Sequence, residues 1–131
     1  MSGGEKSFAS ASEQRVARAA AEAAPHAAEL LASHLAANHE LLPILYLDAL
    51  GVWYLQAWRD RDADPDQFTQ AGAVAAVLDA EFKKDAKLEN AIAVGFVEMF
   101  TYLPEHDRAA AATLPPALRA EYTKMAAWRP S

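Results

Sequence analysis

Between Leu41 and Trp58 the chain reads LLPILYLDALGVWYLQAW, and Asp48 is the only charged side chain in that stretch. Apolar residues are not confined to one side of it. Leu42, Leu45, Ala49 and Trp53 share one side of a helix, while Ile44, Leu47, Leu55 and Trp58 line others, whereas a surface helix keeps charges on its outer face. A helix of this kind needs neighbours on several sides. At ~1.5 Å per residue it spans about 28 Å, the width of a small domain, so other helices can pack along its whole length. The stretch is expected to be a buried core helix with the remaining chain wrapped around it.

A membrane span and a signal peptide are the two other uses of such a stretch. An apolar run of about 18 residues is long enough to cross a bilayer. Asp48 would then lie near the bilayer centre, where a carboxylate is costly, and no second segment could join it in a bundle. A signal peptide is excluded because the run is internal and the leading MSGGEKSFASASEQ has no apolar region. The chain is expected to be soluble and cytoplasmic.

The 131 residues fit one hydrophobic core, since two domains of half that length would each be marginal. Alanine is the commonest residue and glycine occurs only 5 times, which favours helix because alanine loses no side-chain entropy on ordering. No Val/Ile/Thr alternation bounded by Asn-Gly or Asp-Gly marks a strand or hairpin. The absence of cysteine removes disulfides and thiolate zinc sites and fits a reducing compartment. A net charge of −6 argues against a nucleic-acid partner, because phosphate binding rests on clustered Lys and Arg. A basic protein surface is the complementary expectation.

Along the chain, residues 1–9 are Gly/Ser-rich and weakly patterned and are expected to form a disordered tail, leaving 10–131 as one α-helical domain. Ser10 and Glu13 match a capping box, which starts a helix over 11–24. Pro25, Pro43, Pro65 and Pro116 each suit a first helical turn, which starts helices over 26–39, 42–59, 65–84 and 116–128. Asp64 and Gln67 cap the fourth. Phe68, Ala71, Ala75, Leu78 and Phe82 give it a core-facing stripe. Asp85 caps a fifth helix over 87–103, with Leu88, Ile92, Gly95, Phe96 and Met99 on one face, and 107–114 reads as a short helix. Gly95 costs about 1 kcal/mol relative to Ala inside a helix, so a close helix crossing is expected there. The pattern predicts an all-α, single-domain helical bundle or a short HEAT-like stack of about six helices. The stack is preferred because successive helices pair like hairpins, although no sequence repeat accompanies them.

Candidate chemistry is sparse. The di-iron pattern Glu-x-x-His needs both ligands facing a bundle interior, yet Ala32, Pro43 and Thr101 follow Glu29, Glu40 and Glu98 at that spacing. His39-Glu40 begins like HExxH, but its second ligand position is Pro43. The turn Asp60–Asp66 resembles the start of a calcium loop and fails at its sixth and twelfth positions, which are Pro65 and Ala71. No metal and no cofactor are expected.

The same turn gives the candidate partner-binding face. Asp60, Asp62, Asp64 and Asp66 stand beside Trp58, with Tyr54 one turn back. Acidic groups beside aromatic anchors suit a basic protein partner, with charge steering the encounter and buried rings supplying affinity. Asp48 and Glu98 are each the only acid in a long apolar run, so they form a candidate buried polar pair. Buried together, they could serve as general acid and base with raised pKa values, but no Ser-His-Asp set or phosphate loop accompanies them.

With LLPILYLDALGVWYLQAW, LENAIAVGFVEMFTYLP and LPPALRAEY in order, the chain resembles a family of short, all-helical, mostly actinobacterial proteins similar to small bacterial immunity proteins. Leu41-Leu42-Pro43, Asp48, Trp53 and Val97-Glu98 carry the resemblance, and Gly95 departs from it where serine is more usual. The resemblance implies a non-enzymatic immunity protein or antitoxin that covers the basic active face of a cognate toxin. Two competing expectations are a small ligand- or metal-binding helical enzyme using Asp48 and Glu98, and a structural homodimer.

Overall fold

The computed structural model describes residues 9–128. Six α-helices follow one another among them: α1 Ala11–Ala23, α2 Pro25–Asn38, α3 Pro43–Arg59, α4 Pro65–Glu81, α5 Ala86–Ile92 and α6 Pro116–Ala127. No strand occurs among the described residues. Of the expected tail, residues 1–8 lie outside them. Ala9 is described and buried, and its carbonyl accepts a hydrogen bond from Gln14.

Local chemistry starts each helix. The Ser10 hydroxyl accepts from the Glu13 N–H at 3.1 Å while the Ser10 N–H donates to the Glu13 carboxylate at 2.8 Å, so two otherwise unpaired backbone donors are satisfied by one reciprocal pair. Asp64 and Asp85 accept from the N–H groups of Gln67 and Leu88. The prolines at 25, 43, 65 and 116 each occupy a first turn, where a missing N–H costs nothing. His39 ends α2 in the left-handed region, at φ 63°, a conformation that a polar residue tolerates better than a β-branched one.

The central helix is α3. It buries nine of its 17 residues, more than any other helix, and touches α1, α2, α4 and α5. Tyr46 donates to the Ala27 carbonyl at 2.9 Å and so pins α2 to it. Tyr54 packs its ring against Phe68, Phe96 and Phe100 at centroid distances of 5.6 to 5.9 Å, close to edge-on, a favoured aromatic geometry. The predicted stripe of α4 holds: Ala71, Ala75, Leu78 and Phe82 are buried and Phe68 is half-buried. Helix α2 is more peripheral than its pattern suggests, with Ala27 its only buried residue.

Of the two expected architectures, the packing is that of a bundle. In an open stack each helical pair meets only its neighbours. Here α1 also reaches α5, and the Arg15–Glu81 ion pair at 2.7 Å ties α1 to the end of α4.

The expected helix over 87–103 is not one regular helix. After α5 the backbone widens into a π-turn at Ala93–Val97, tightens into a 3-10 segment at Glu98–Tyr102, and resumes as a second 3-10 segment at Glu105–Thr113. The widening falls where Gly95 meets α3. A methyl group on Gly95 would stand 2.8 Å from the Leu47 Cβ and 3.1 Å from the Ile44 carbonyl oxygen, both well inside normal contact. The close crossing expected at Gly95 is present, and its partner is the core helix.

Candidate functional site

The acidic turn does not carry the expected aromatic anchors. Tyr54 and Trp58 are 2% and 7% exposed, so neither ring is offered to a partner. The Tyr54 hydroxyl shares a 2.7 Å hydrogen bond with that of Thr113, and burial pushes its pKa up. Trp58 is capped by Arg61, whose guanidinium lies 4.3 Å from the ring centroid and donates to the Trp58 carbonyl. Asp60, Asp62, Asp64 and Asp66 are exposed as expected. Asp64 is occupied in capping α4, and Asp60 and Asp66 accept from Gln56 and Gln70. The aromatic half of the predicted face is core: Phe68 of α4 and Phe96 and Phe100 of the 93–102 segment close over Tyr54, and Trp58 is buried as well.

The expectation of a buried Asp48–Glu98 pair is also corrected. Asp48 is exposed and Glu98 is half-buried. An interior acid–base site built from them is therefore not what the fold provides. Their two elements do meet elsewhere. Gly95 bears on Ile44 and Leu47, while a methyl on Gly51 would meet the Met99 sulfur and the Phe96 carbonyl. Early thus meets early and late meets late, so α3 and the 93–102 segment run side by side in the same direction. The segment that packs along α3 in this way also carries the exposed Val94 and the half-buried Glu98.

The outer side of α3 at this junction is the candidate site, and it is apolar where a helix surface is normally polar. Ile44 is 42% exposed, Leu45 54%, Val52 54%, and Val94 across the junction 40%. Tyr102, a further turn along, is exposed as well. Isolated apolar residues on a surface need no explanation, but a contiguous strip rimmed by polar groups marks an interaction surface. Ile44 and Leu45, expected in the core, lie outside it. The sequence signal for this is Asp48, Gln56 and Arg59: at 3.6 residues per turn these share one sector of about 120° with Ile44, Leu45 and Val52.

Other charged groups near the core serve structure. Asp107 is buried and receives Arg59 at 2.6 Å. Asp79 of α4 accepts from the N–H groups of Ala117 and Leu118 at 2.8 and 3.0 Å, capping α6, whose own cap position is Pro115. His34 accepts from the Leu42 N–H at 2.9 Å, bridging the connection between α2 and α3. A cleft lined by Glu13, Val16, Tyr46, Leu47, Leu78 and Leu88 has about 10 Å³ of free space, roughly that of one water. Among the described residues no three His, Asp or Glu side chains are grouped to hold a metal ion, and no helix is long and apolar enough to cross a membrane. The chain matches no family model, no curated protein and no solved structure.

Proposed function

We propose that this protein is a binding domain without catalytic activity, which docks onto another protein through the outer side of the α3 junction. The observation that carries the reading is the exposure of Ile44, Leu45 and Val52 on the helix that supplies most of the core. Burying such a strip against a partner is favourable by about 25 cal/mol per Å² of apolar surface. The strip leads along α3 toward the acidic turn at Asp60–Asp66, and the chain carries a net charge of −6. Both features favour a partner whose facing surface is basic, since complementary potentials raise the encounter rate and reject acidic competitors.

The specific form of this reading is an immunity protein or antitoxin that neutralises a cognate toxin in the cytoplasm. It draws on the family resemblance and on the acidic surface. The test is recovery of the partner from the native host on the immobilised full chain, followed by co-expression. The expected partner is toxic alone and harmless beside this protein, and Leu45→Glu with Val52→Glu releases it while leaving helicity unchanged. A partner held equally well by that double variant would move the binding face elsewhere. A harmless partner would remove the immunity role.

A further inference from the structure

One sector of α3 contains nothing buried. At about 100° per residue, Asp48, Arg59, Val52, Leu45 and Gln56 fall in that order within about 80° of the helix circumference, and no other residue of α3 does. All five are exposed. Along the axis their spacing reads alike in both directions: Leu45 and Asp48 stand seven and four residues before Val52, and Gln56 and Arg59 stand four and seven after it. From Leu45 to Arg59 the seam is about 21 Å long.

We propose that two copies of this chain pair through this sector, with their α3 helices antiparallel and Val52 on the two-fold axis, and that the pairing covers the strip until a partner displaces it.

Charge complementarity selects a second copy. A two-fold axis beside Val52 sets residues equally far before and after it at one level, so Asp48 of one copy stands level with Gln56 of the other, and Leu45 with Arg59. Gln56 donates to Asp60 of its own helix, and exchanging that exposed carboxylate for Asp48 costs no hydrogen bond. Asp48 and Arg59 lie on the same side of Val52, so in the pair they come within one helical turn of each other and form two interchain ion pairs. Arg59 is ready for this contact. Asp107 engages its Nε and Nη2, which fixes the side chain while leaving it 42% exposed. Val52 meets its own copy at the centre, and Leu45 covers the aliphatic stem of Arg59.

The same charges reject the parallel arrangement, in which every residue meets its own copy. Asp48 would face Asp48 and Arg59 would face Arg59. The two turns Asp60–Asp66, each with four exposed aspartates, would lie together. In the antiparallel pair the two Asp60 residues are about 24 Å apart along the helices, well beyond the ~8 Å screening length at physiological salt.

The seam is small. At about 21 Å long and one helix wide, ~10 Å, it offers roughly 200 Å², against about 800 Å² per partner in a standard interface. The dimer is therefore weak and reversible, and a partner with a larger footprint displaces it.

The experiment uses the full chain, which has no cysteine, so that single introduced cysteines report the register. A disulfide needs Cα atoms within about 7 Å. Val52→Cys meets its own copy at the axis, whereas Leu45→Cys lies about 21 Å from its own. Under mild oxidation Val52→Cys should form a covalent dimer at least about tenfold faster than Leu45→Cys. Sedimentation equilibrium of the wild type should show a monomer–dimer equilibrium, and Asp48→Arg should weaken it at least about fivefold, in the range of exposed ion pairs. All three positions are exposed, and circular dichroism checks that each variant folds.

Equal crosslinking of the two cysteines, faster crosslinking at Leu45→Cys, a wild type that stays monomeric up to about 1 mM, or a dimer indifferent to Asp48→Arg would overturn the proposal. A monomeric wild type whose Leu45→Glu/Val52→Glu variant releases the native partner ends the pairing and keeps the binding-domain reading. A dimer whose double variant still holds that partner supports the pairing and moves the partner's face elsewhere.

Discussion

Arg59, in the last turn of α3, holds the buried Asp107 carboxylate at 2.6 Å across 48 residues of chain. The pair fastens the second 3-10 segment to the core helix. The hydrogen bond from Arg59, followed by its charge, holds the Asp107 carboxyl below its usual 3.8. A group whose pKa is lowered by folding stabilises the fold above its ordinary pKa, and that stabilisation fades as pH falls through the lowered value. Asp107→Asn should therefore have a lower urea midpoint than the wild type at neutral pH. It should also lose less stability than the wild type does on going below about pH 4. Parallel curves for the two proteins would refute the assignment.

His34 gives a second pH dependence at milder acidity. Its Nε2 accepts the Leu42 N–H, so the ring must be neutral at that nitrogen, and burial holds its pKa below the ordinary 6.5. The contribution is complete above 6.5 and declines as pH falls below it, because the unfolded chain takes up a proton before the folded one does. Glutamine can accept the same N–H without titrating. Thermal melts at about pH 7.5 and pH 5 should show a smaller acid-induced loss in His34→Gln than in the wild type.

The glycines of the helices should respond to alanine in a definite order. Nothing lies within 4 Å of a methyl group added at Gly72, so Gly72→Ala should stabilise by about 0.5–1 kcal/mol through helix propensity alone. At Gly51 the obstacle is the Met99 sulfur, 2.5 Å away but at the movable end of a side chain, and the gain and the clash should nearly cancel. At Gly95 the obstacles are the Leu47 Cβ and the Ile44 backbone, which cannot swing aside, so Gly95→Ala should cost about 1–3 kcal/mol. Melting temperatures that do not fall in the order Gly72, Gly51, Gly95 would contradict the crossing described here.

Asp79 should matter more than its half-exposed position suggests. It supplies α6 with the acceptor that Pro115 lacks, and its negative charge faces the positive end of that helix. Asp79→Ala should cost about 1–2 kcal/mol, as loss of a helix cap does, and Asp79→Asn should cost less. Hydrogen exchange should locate the damage in the first turn of α6.

Helix boundaries were legible where the controlling chemistry is local. Ser10 with Glu13, Asp64 with Gln67, Asp85 and the first-turn prolines act within three or four residues, so spacing alone is informative. Asp79 was not legible as a cap because its helix lies 38 residues along the chain. The expected face of Asp60–Asp66 with Tyr54 and Trp58 was half legible as a surface: its acids are exposed, but Tyr54 and Trp58 are large enough to anchor an interface and equally suited to fill a core, and here they fill it.

What the sequence determined by itself is the all-α class, the starts of the helices and the choice of residues 43–59 as the central one, since all three follow from periodicity and short-range hydrogen bonding. Only the tertiary structure decided which sector of α3 stays open. That depends on how close its neighbours can come, and Gly95 and Gly51 let the 93–102 segment settle against Ile44 and Leu47 at one level and bring its Phe96 and Met99 against α3 at the next. Phe68 of α4 and Phe96 and Phe100 of the segment cover Tyr54, while Ile44, Asp48 and Val52 stay on the outside. Packing over many residues, which no local pattern encodes, therefore turned a run expected to be buried on every side into a core helix with one exposed edge.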